Sequence, residues 1–176
     1  MSGAQEGSFR LTFSTPSSLP KALGDHFYIS EIVSSDKPAY IELFNVKQIY
    51  DMTLAIPFPY TEADAEWWVN HVAELTQKQG HSVNWAIRRE NGTLIGGIGF
   101  HDFELGKSHR AELGYWLAQP YWGHGLMTEA VKAVSDFGFN HFGLSRITAG
   151  VFIYNPGSAR VLEKSGFQLE GVLRKY

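Results

Sequence analysis

Cysteine is absent from all 176 residues, which excludes a disulfide framework, a thiolate zinc site and a cysteine nucleophile together. The absence fits a reducing, cytoplasmic setting. Positive charge is not in excess either. Fifteen Lys and Arg stand against 18 Asp and Glu, a formal charge of −3, the reverse of the basic balance with which nucleic-acid binders hold phosphate backbones. No apolar run approaches the ~20 residues that a membrane helix needs. The start, Met1-Ser2-Gly3-Ala4-Gln5-Glu6-Gly7, lacks the basic-then-apolar order of a secretory leader. The seven histidines (26, 71, 81, 101, 109, 124 and 141) fall in no metal-ligand spacing, so no metal is expected. Nucleic acid, membrane and metal all drop out as partners.

What remains is material for one compact domain. With 44% hydrophobic and 14% aromatic residues, a chain of this length can bury roughly 70% of its unfolded surface. Residues 1–25 are rich in Ser, Pro and Gly and read as a partly flexible extension, with Phe9–Phe13 as a candidate edge strand; residues 26–176 read as a single domain. Alternation predicts strands at His26–Val33, Ser82–Glu90, Thr93–Phe103 and Arg110–Ala118. Asn91-Gly92 is a hairpin turn signal between the second and third of these. β-rich runs add Arg146–Tyr154 and Phe167–Leu173. Asp36 with Pro38 opens a helix to about Asn45, and Thr61 starts another that Gly80 ends. In that second helix Ala65, Trp68, Val69, Val72 and Leu75 share one apolar face. Leu126–Phe139 and Pro156–Ser165 complete the helices. Ile56-Pro57-Phe58-Pro59-Tyr60 must be a loop, either packed or touching substrate. The order is α/β of the α+β type: an antiparallel meander, then strand, helix, strand, helix, strand on one sheet.

Pro120-Tyr121-Trp122-Gly123-His124-Gly125 runs into the third helix. Glycines that let backbone amides approach an anion, followed by a helix N-terminus, are a device for holding phosphate. A tight structural turn is the alternative. A dinucleotide fingerprint fails, because Thr128 stands where the third glycine belongs and Ser145-Arg146 where the acidic residue belongs. A complete P-loop pattern is absent.

Glu-Leu-Gly-Tyr-Trp-Leu from Glu112, Pro-Tyr-Trp-Gly-His-Gly-Leu-Met-Thr-Glu-Ala from Pro120, and Asn-Pro-Gly-Ser-Ala-Arg-Val-Leu-Glu-Lys-Ser-Gly-Phe from Asn155 follow in order. Together they resemble the GNAT superfamily of acetyl-CoA-dependent N-acetyltransferases, in its RimJ/RimL-like branch. The resemblance runs from about residue 26 to the end and is most specific over 112–174. It implies a GNAT-like three-layer fold, a central mixed and mostly antiparallel sheet flanked by helices. It also implies acetyl-CoA as co-substrate. Backbone at Trp116, Leu117 and Ala118 would face the pantetheine arm. Trp122, Gly123, His124 and Gly125 with Leu126, Met127 and Thr128 would take the diphosphate. Asn155 and Ser158 would sit at the thioester. In the general superfamily pattern for the diphosphate loop, Arg or Gln stands where this chain has Pro120; the Tyr121-Trp122-Gly123 form is typical of the branch.

Acetyl transfer to an amine needs a neutral amine and a proton for the departing thiolate. A lysine-type amine is neutral about once in 2500 at pH 7, a cost of roughly 4–5 kcal/mol, whereas an α-amine costs about 1 kcal/mol. By the resemblance, Glu112 is the candidate base, with Asp102 and Glu104 as secondary carboxylates; a solvated strand Glu is the alternative. Many members carry an acidic Tyr seven residues after the Asn, where this chain has Leu162. In this branch Ser158 is the proposed substitute, with a helix-lining role as its alternative. The acceptor expected is a protein N-terminal α-amine or a small-molecule amine, acetylated by direct transfer. A non-catalytic acyl-CoA-binding domain is the rival reading. Family members continue into one more strand beyond this chain's Tyr176. The expectation is a truncated form, or a partner, such as a second copy in a homodimer, over the open sheet edge.

Overall fold

The structure is a computed structural model and describes residues 19, 22–53 and 55–173. Six strands form one sheet in chain order: β1 (Ala22–Leu23), β2 (Phe27–Glu31), β3 (Asn84–Arg89), β4 (Leu94–His101), β5 (Arg110–Leu117) and β6 (Arg146–Thr148). Every junction is antiparallel except β5–β6, which is parallel. Helices α1 (Lys37–Phe44), α2 (Lys47–Tyr50) and α3 (Glu62–Gln79) cover one face. Helices α4 (Leu126–His141) and α5 (Pro156–Lys164) cover the other. The central strands are therefore buried on both sides. In β3, Trp85 and Ile87 join the α4 core while Ala86 joins the α1–α3 core. These are the three layers expected from the sequence.

Local chemistry sets the ends of these elements. Thr61 and Asp64 close a reciprocal capping box at the start of α3, and the two hydrogen bonds from Thr61 hold the Asp64 carboxyl below the usual carboxylate range. Gly80, at φ 72°, ends the helix in the left-handed conformation that favours glycine. At the β3–β4 turn the Arg89 N–H donates to the Thr93 carbonyl at 3.0 Å. Among the described residues no helix is long and apolar enough to cross a membrane.

Four expectations need revision. Asp36 stands at the N-cap position of α1, yet its carboxylate does not cap the helix. It accepts from Arg88 Nη1 and Nη2, at 2.7 Å each, and from the Val33 N–H at 2.8 Å. Both partners are buried, and a buried guanidinium demands a paired charge more than a helix end demands a cap. Strand β6 stops at Thr148, and residues 149–154 are irregular rather than a continued strand. Residues 167–173 form no strand either; Leu169 is 83% exposed, and β propensity without a neighbouring ladder does not make a strand. Finally, Ala22–Leu23 pairs with β2, and Leu19 and Leu23 are buried in the α4-side core. Sheet and core thus reach back past residue 26. Phe9–Phe13 lies outside the described residues.

Candidate active site

Helix α4 begins unlike its neighbours. The N-terminus of α3 is capped by Thr61 and that of α5 by Asn155, whose Oδ1 accepts from the Ser158 N–H at 3.1 Å. The N-cap of α4 is Gly125, at φ 84°, and no side chain caps it. The first helical amides, Leu126, Met127 and Thr128, have no carbonyl one turn back to meet. Leu126 and Met127 bury their side chains in the core and hold this end in place. Gly123 also has positive φ, 80°, so the loop turns twice in the left-handed region and leaves Trp122–Gly125 exposed. The result is a cluster of backbone donors at the positive end of a 16-residue helix.

Beside this cluster the sheet opens. Strand β6 pairs with β5 only from Arg110↔Arg146 to Glu112↔Thr148. Further along, among the described residues, β5 has β4 on one side and no strand on the other. Ladder hydrogen bonds alternate in direction along an antiparallel strand. The Ala118 N–H donates to Ile95 of the β4 side at 2.8 Å. By alternation Trp116 faces β4 too, while Tyr115 and Leu117 turn their backbone groups to the gap. Of the three residues expected to offer backbone there, the gap receives Leu117. The Leu117 carbonyl accepts from Trp122 Nε1 at 2.6 Å. The Trp116 indole instead packs with Phe44 and Tyr40 in the α1 core, lying over Gly97, where a Cβ would sit 2.5 Å from its Nε1.

The same stretch of β5 touches the start of α5. The Tyr115 hydroxyl lies 2.7 Å from Ser158 Oγ, where either oxygen can donate, and 3.2 Å from the Ser158 carbonyl, the other acceptor within its reach. Burial pushes the Tyr115 phenol up, and the bond to Ser158 opposes this in part. Asn155, not Ser158, caps the helix. Sequence reasoning missed Tyr115 because alternation marks only its core-facing side, and its partner is 43 residues away.

Glu112 lies on the opposite sheet face from Leu113 and Tyr115. It is exposed, and among the described residues no ion pair includes it. His101 is its cross-strand neighbour on β4. The imidazole reaches over Gly114, where a Cβ would sit 2.5 Å from Nε2. Burial lowers the His101 pKa, and the charges of Glu112 and Asp102 pull it back up in part. Asp102 turns off the end of β4 with φ 49° and lines a cavity of about 320 Å³ with His71, Asn84 and His101. Glu104 instead pairs with Lys107 at 2.9 Å and is committed to the surface turn. Ile56, Pro57 and Phe58 line an open cleft of about 600 Å³ with Tyr50, Phe152 and Tyr154.

A sequence profile described as "Acetyltransferase (GNAT) domain" matches residues 26–168. The chain belongs to the GNAT acetyltransferase family. Its relatives include the uncharacterized N-acetyltransferase YoaA of Bacillus subtilis, 47% identical over 101 residues, covering 57% of this chain and 55% of YoaA. The ribosomal-protein-serine acetyltransferase of Escherichia coli is 32% identical over 141 residues, covering 79% and 76%. Among solved structures, RimL, a ribosomal L7/L12 α-N-protein acetyltransferase in complex with coenzyme A, superposes with a TM-score of 0.75 at 22% identity. That superposition covers 86% of this chain and 85% of RimL. The chain spans about half the length of several curated relatives that it matches. The GNAT fold and the RimJ/RimL-like relatives agree with the motifs at 112–117, 120–130 and 155–167.

Proposed function

We propose that this GNAT domain is an acetyl-CoA-dependent N-acetyltransferase that acts on a primary amine by direct transfer. The observation that carries the reading is the bare start of α4: the amides of Leu126, Met127 and Thr128 meet no cap, beside a gap in the sheet. A diphosphate satisfies those donors and the helix dipole together. Coenzyme A in the RimL structure supports the choice of ligand. The loop Trp122–Gly125 and the first turn of α4 hold the diphosphate, Leu117 faces the pantetheine arm, and the thioester lies toward Asn155 and Ser158.

Direct transfer requires the amine to reach the thioester carbonyl unprotonated. Glu112, which joins no ion pair among the described residues, accepts the proton, directly or through a water. A backbone N–H at the gap polarises the carbonyl. The open cleft of Tyr50, Phe58, Phe152 and Tyr154 supplies apolar wall to an acceptor. The names of the ribosomal-protein relatives favour a protein N-terminal α-amine, whose deprotonation costs about 1 kcal/mol at neutral pH; a small-molecule amine is the other acceptor class.

Calorimetry with acetyl-CoA, coenzyme A and NAD, followed by thiol release over a panel of peptide and small-molecule amines, tests the reading. Binding of both coenzyme A forms but not NAD, with turnover on at least one amine, supports it. Binding without turnover on any amine favours a non-catalytic acyl-CoA-binding domain, and no binding overturns both.

A further inference from the structure

We propose that Tyr115 and Ser158 work as a pair that delivers a proton to the departing thiolate, Tyr115 being a positioning residue that acts through the Ser158 hydroxyl. The inference rests on the transferase reading above. The two hydroxyl oxygens are 2.7 Å apart, a short contact between β5 and the first turn of α5. Ser158 is not spent on capping, since Asn155 does that work. Tyr115 shares with Leu117 the alternation that turns the β5 backbone to the gap, so the pair joins that stretch of β5 to α5.

A serine hydroxyl alone is a poor acid, far weaker than a thiol, so a proton it gives up must be replaced as it leaves. Tyr115 is the group in contact with it that can do so. When the phenol donates to Ser158 Oγ, the serine hydrogen is free to point at sulfur. The step then balances: the amine nitrogen bonds to the acetyl carbon and the carbon–sulfur bond breaks. Sulfur takes the Ser158 hydrogen, Ser158 Oγ takes the Tyr115 hydrogen, and the amine proton leaves through Glu112 to solvent. Solvent then restores the phenol. Burial keeps Tyr115 protonated until that moment and also disfavours a free thiolate beside it.

Tyr115→Phe, Ser158→Ala and the double variant test this with two esters, acetyl-CoA and acetyl-seleno-CoA, on an amine that the wild type acetylates. A selenol is much more acidic than a thiol and leaves without a proton. Each single variant is expected to lose roughly 30-fold or more in kcat with acetyl-CoA, and the double variant little beyond the worse single one. With the selenoester all three stay within about threefold of wild type, because the leaving group no longer needs an acid. Melting temperature and coenzyme A affinity check that all three variants fold and bind. Calorimetry adds a readout without turnover: the preference for coenzyme A over desulfo-coenzyme A shrinks in both single variants. Equal losses with the two esters, or losses that multiply in the double variant, overturn the pair. They leave the transferase reading standing, whereas a wild type that binds acetyl-CoA and acetylates nothing overturns both.

Discussion

Trp122 and Leu117 are joined by a 2.6 Å hydrogen bond from the indole Nε1 to the main-chain carbonyl. It ties the loop before α4 to the last residue of β5, so the donors of the helix start and the gap beside β5 share one frame. A coenzyme that spans both sites meets them at a fixed separation and pays less ordering entropy on binding.

Trp122→Phe removes that bond and keeps most of the ring. The residue is 41% exposed, so thermal stability should change little. Coenzyme A affinity, read by calorimetry, should fall about fivefold, the worth of one hydrogen bond near 1 kcal/mol. Unchanged affinity would mean that the tether does not organise the site.

Thr128→Glu separates the fold from the ligand. A carboxylate in the first turn of α4 favours the helix by about 0.3–1 kcal/mol through the dipole, and denaturant midpoints should hold or rise. The same charge repels a diphosphate at the same amides, so coenzyme A binding should weaken by roughly tenfold or more. Stability and affinity moving in the same direction would argue against an anion site there.

Much of this frame is legible in the sequence because its signals are local. Thr61 with Asp64, Gly80, and Asn91-Gly92 each act within a few residues, and each does in the structure what its chemistry dictates. The motif around Trp122–Thr128 is equally local. What stays hidden depends on contacts distant in sequence. Asp36 has the residue type of a cap and goes to Arg88, 52 residues on, because a buried guanidinium needs the charge. The run Phe152-Ile153-Tyr154 has strand composition, but no ladder continues past Thr148. The Tyr115–Ser158 contact, and the His101 ring lying over Gly114, come only from register and packing.

Asp36→Ala should be among the most destabilising single changes. Arg88 is 7% exposed, and removing its bidentate partner leaves a buried charge uncompensated, a loss of about 3–5 kcal/mol. Urea unfolding measures it. A loss below about 1 kcal/mol would show that the pair only substitutes for solvent.

His101 gives a pH signature. Its folded pKa lies below the ordinary 6.5, first through burial. In the unfolded chain the imidazole takes its proton near 6.5, so between the two values the unfolded state holds more protons. Stability should be at its plateau above pH 6.5, fall as the pH drops below that, and level off under the folded pKa. Urea midpoints from pH 8 to 5 should show this slope in the wild type and less of it in His101→Gln. Parallel profiles would place the titrating group elsewhere.

The central claim is that main-chain amides at the start of α4 grip a coenzyme's diphosphate. Amide NMR of the ¹⁵N-labelled protein during a coenzyme A titration tests it most directly. Saturable shifts concentrated at Gly123, Gly125, Leu126, Met127 and Thr128, with Leu117 following, are the expected result. Shifts centred anywhere else, or none at millimolar coenzyme A, would contradict it.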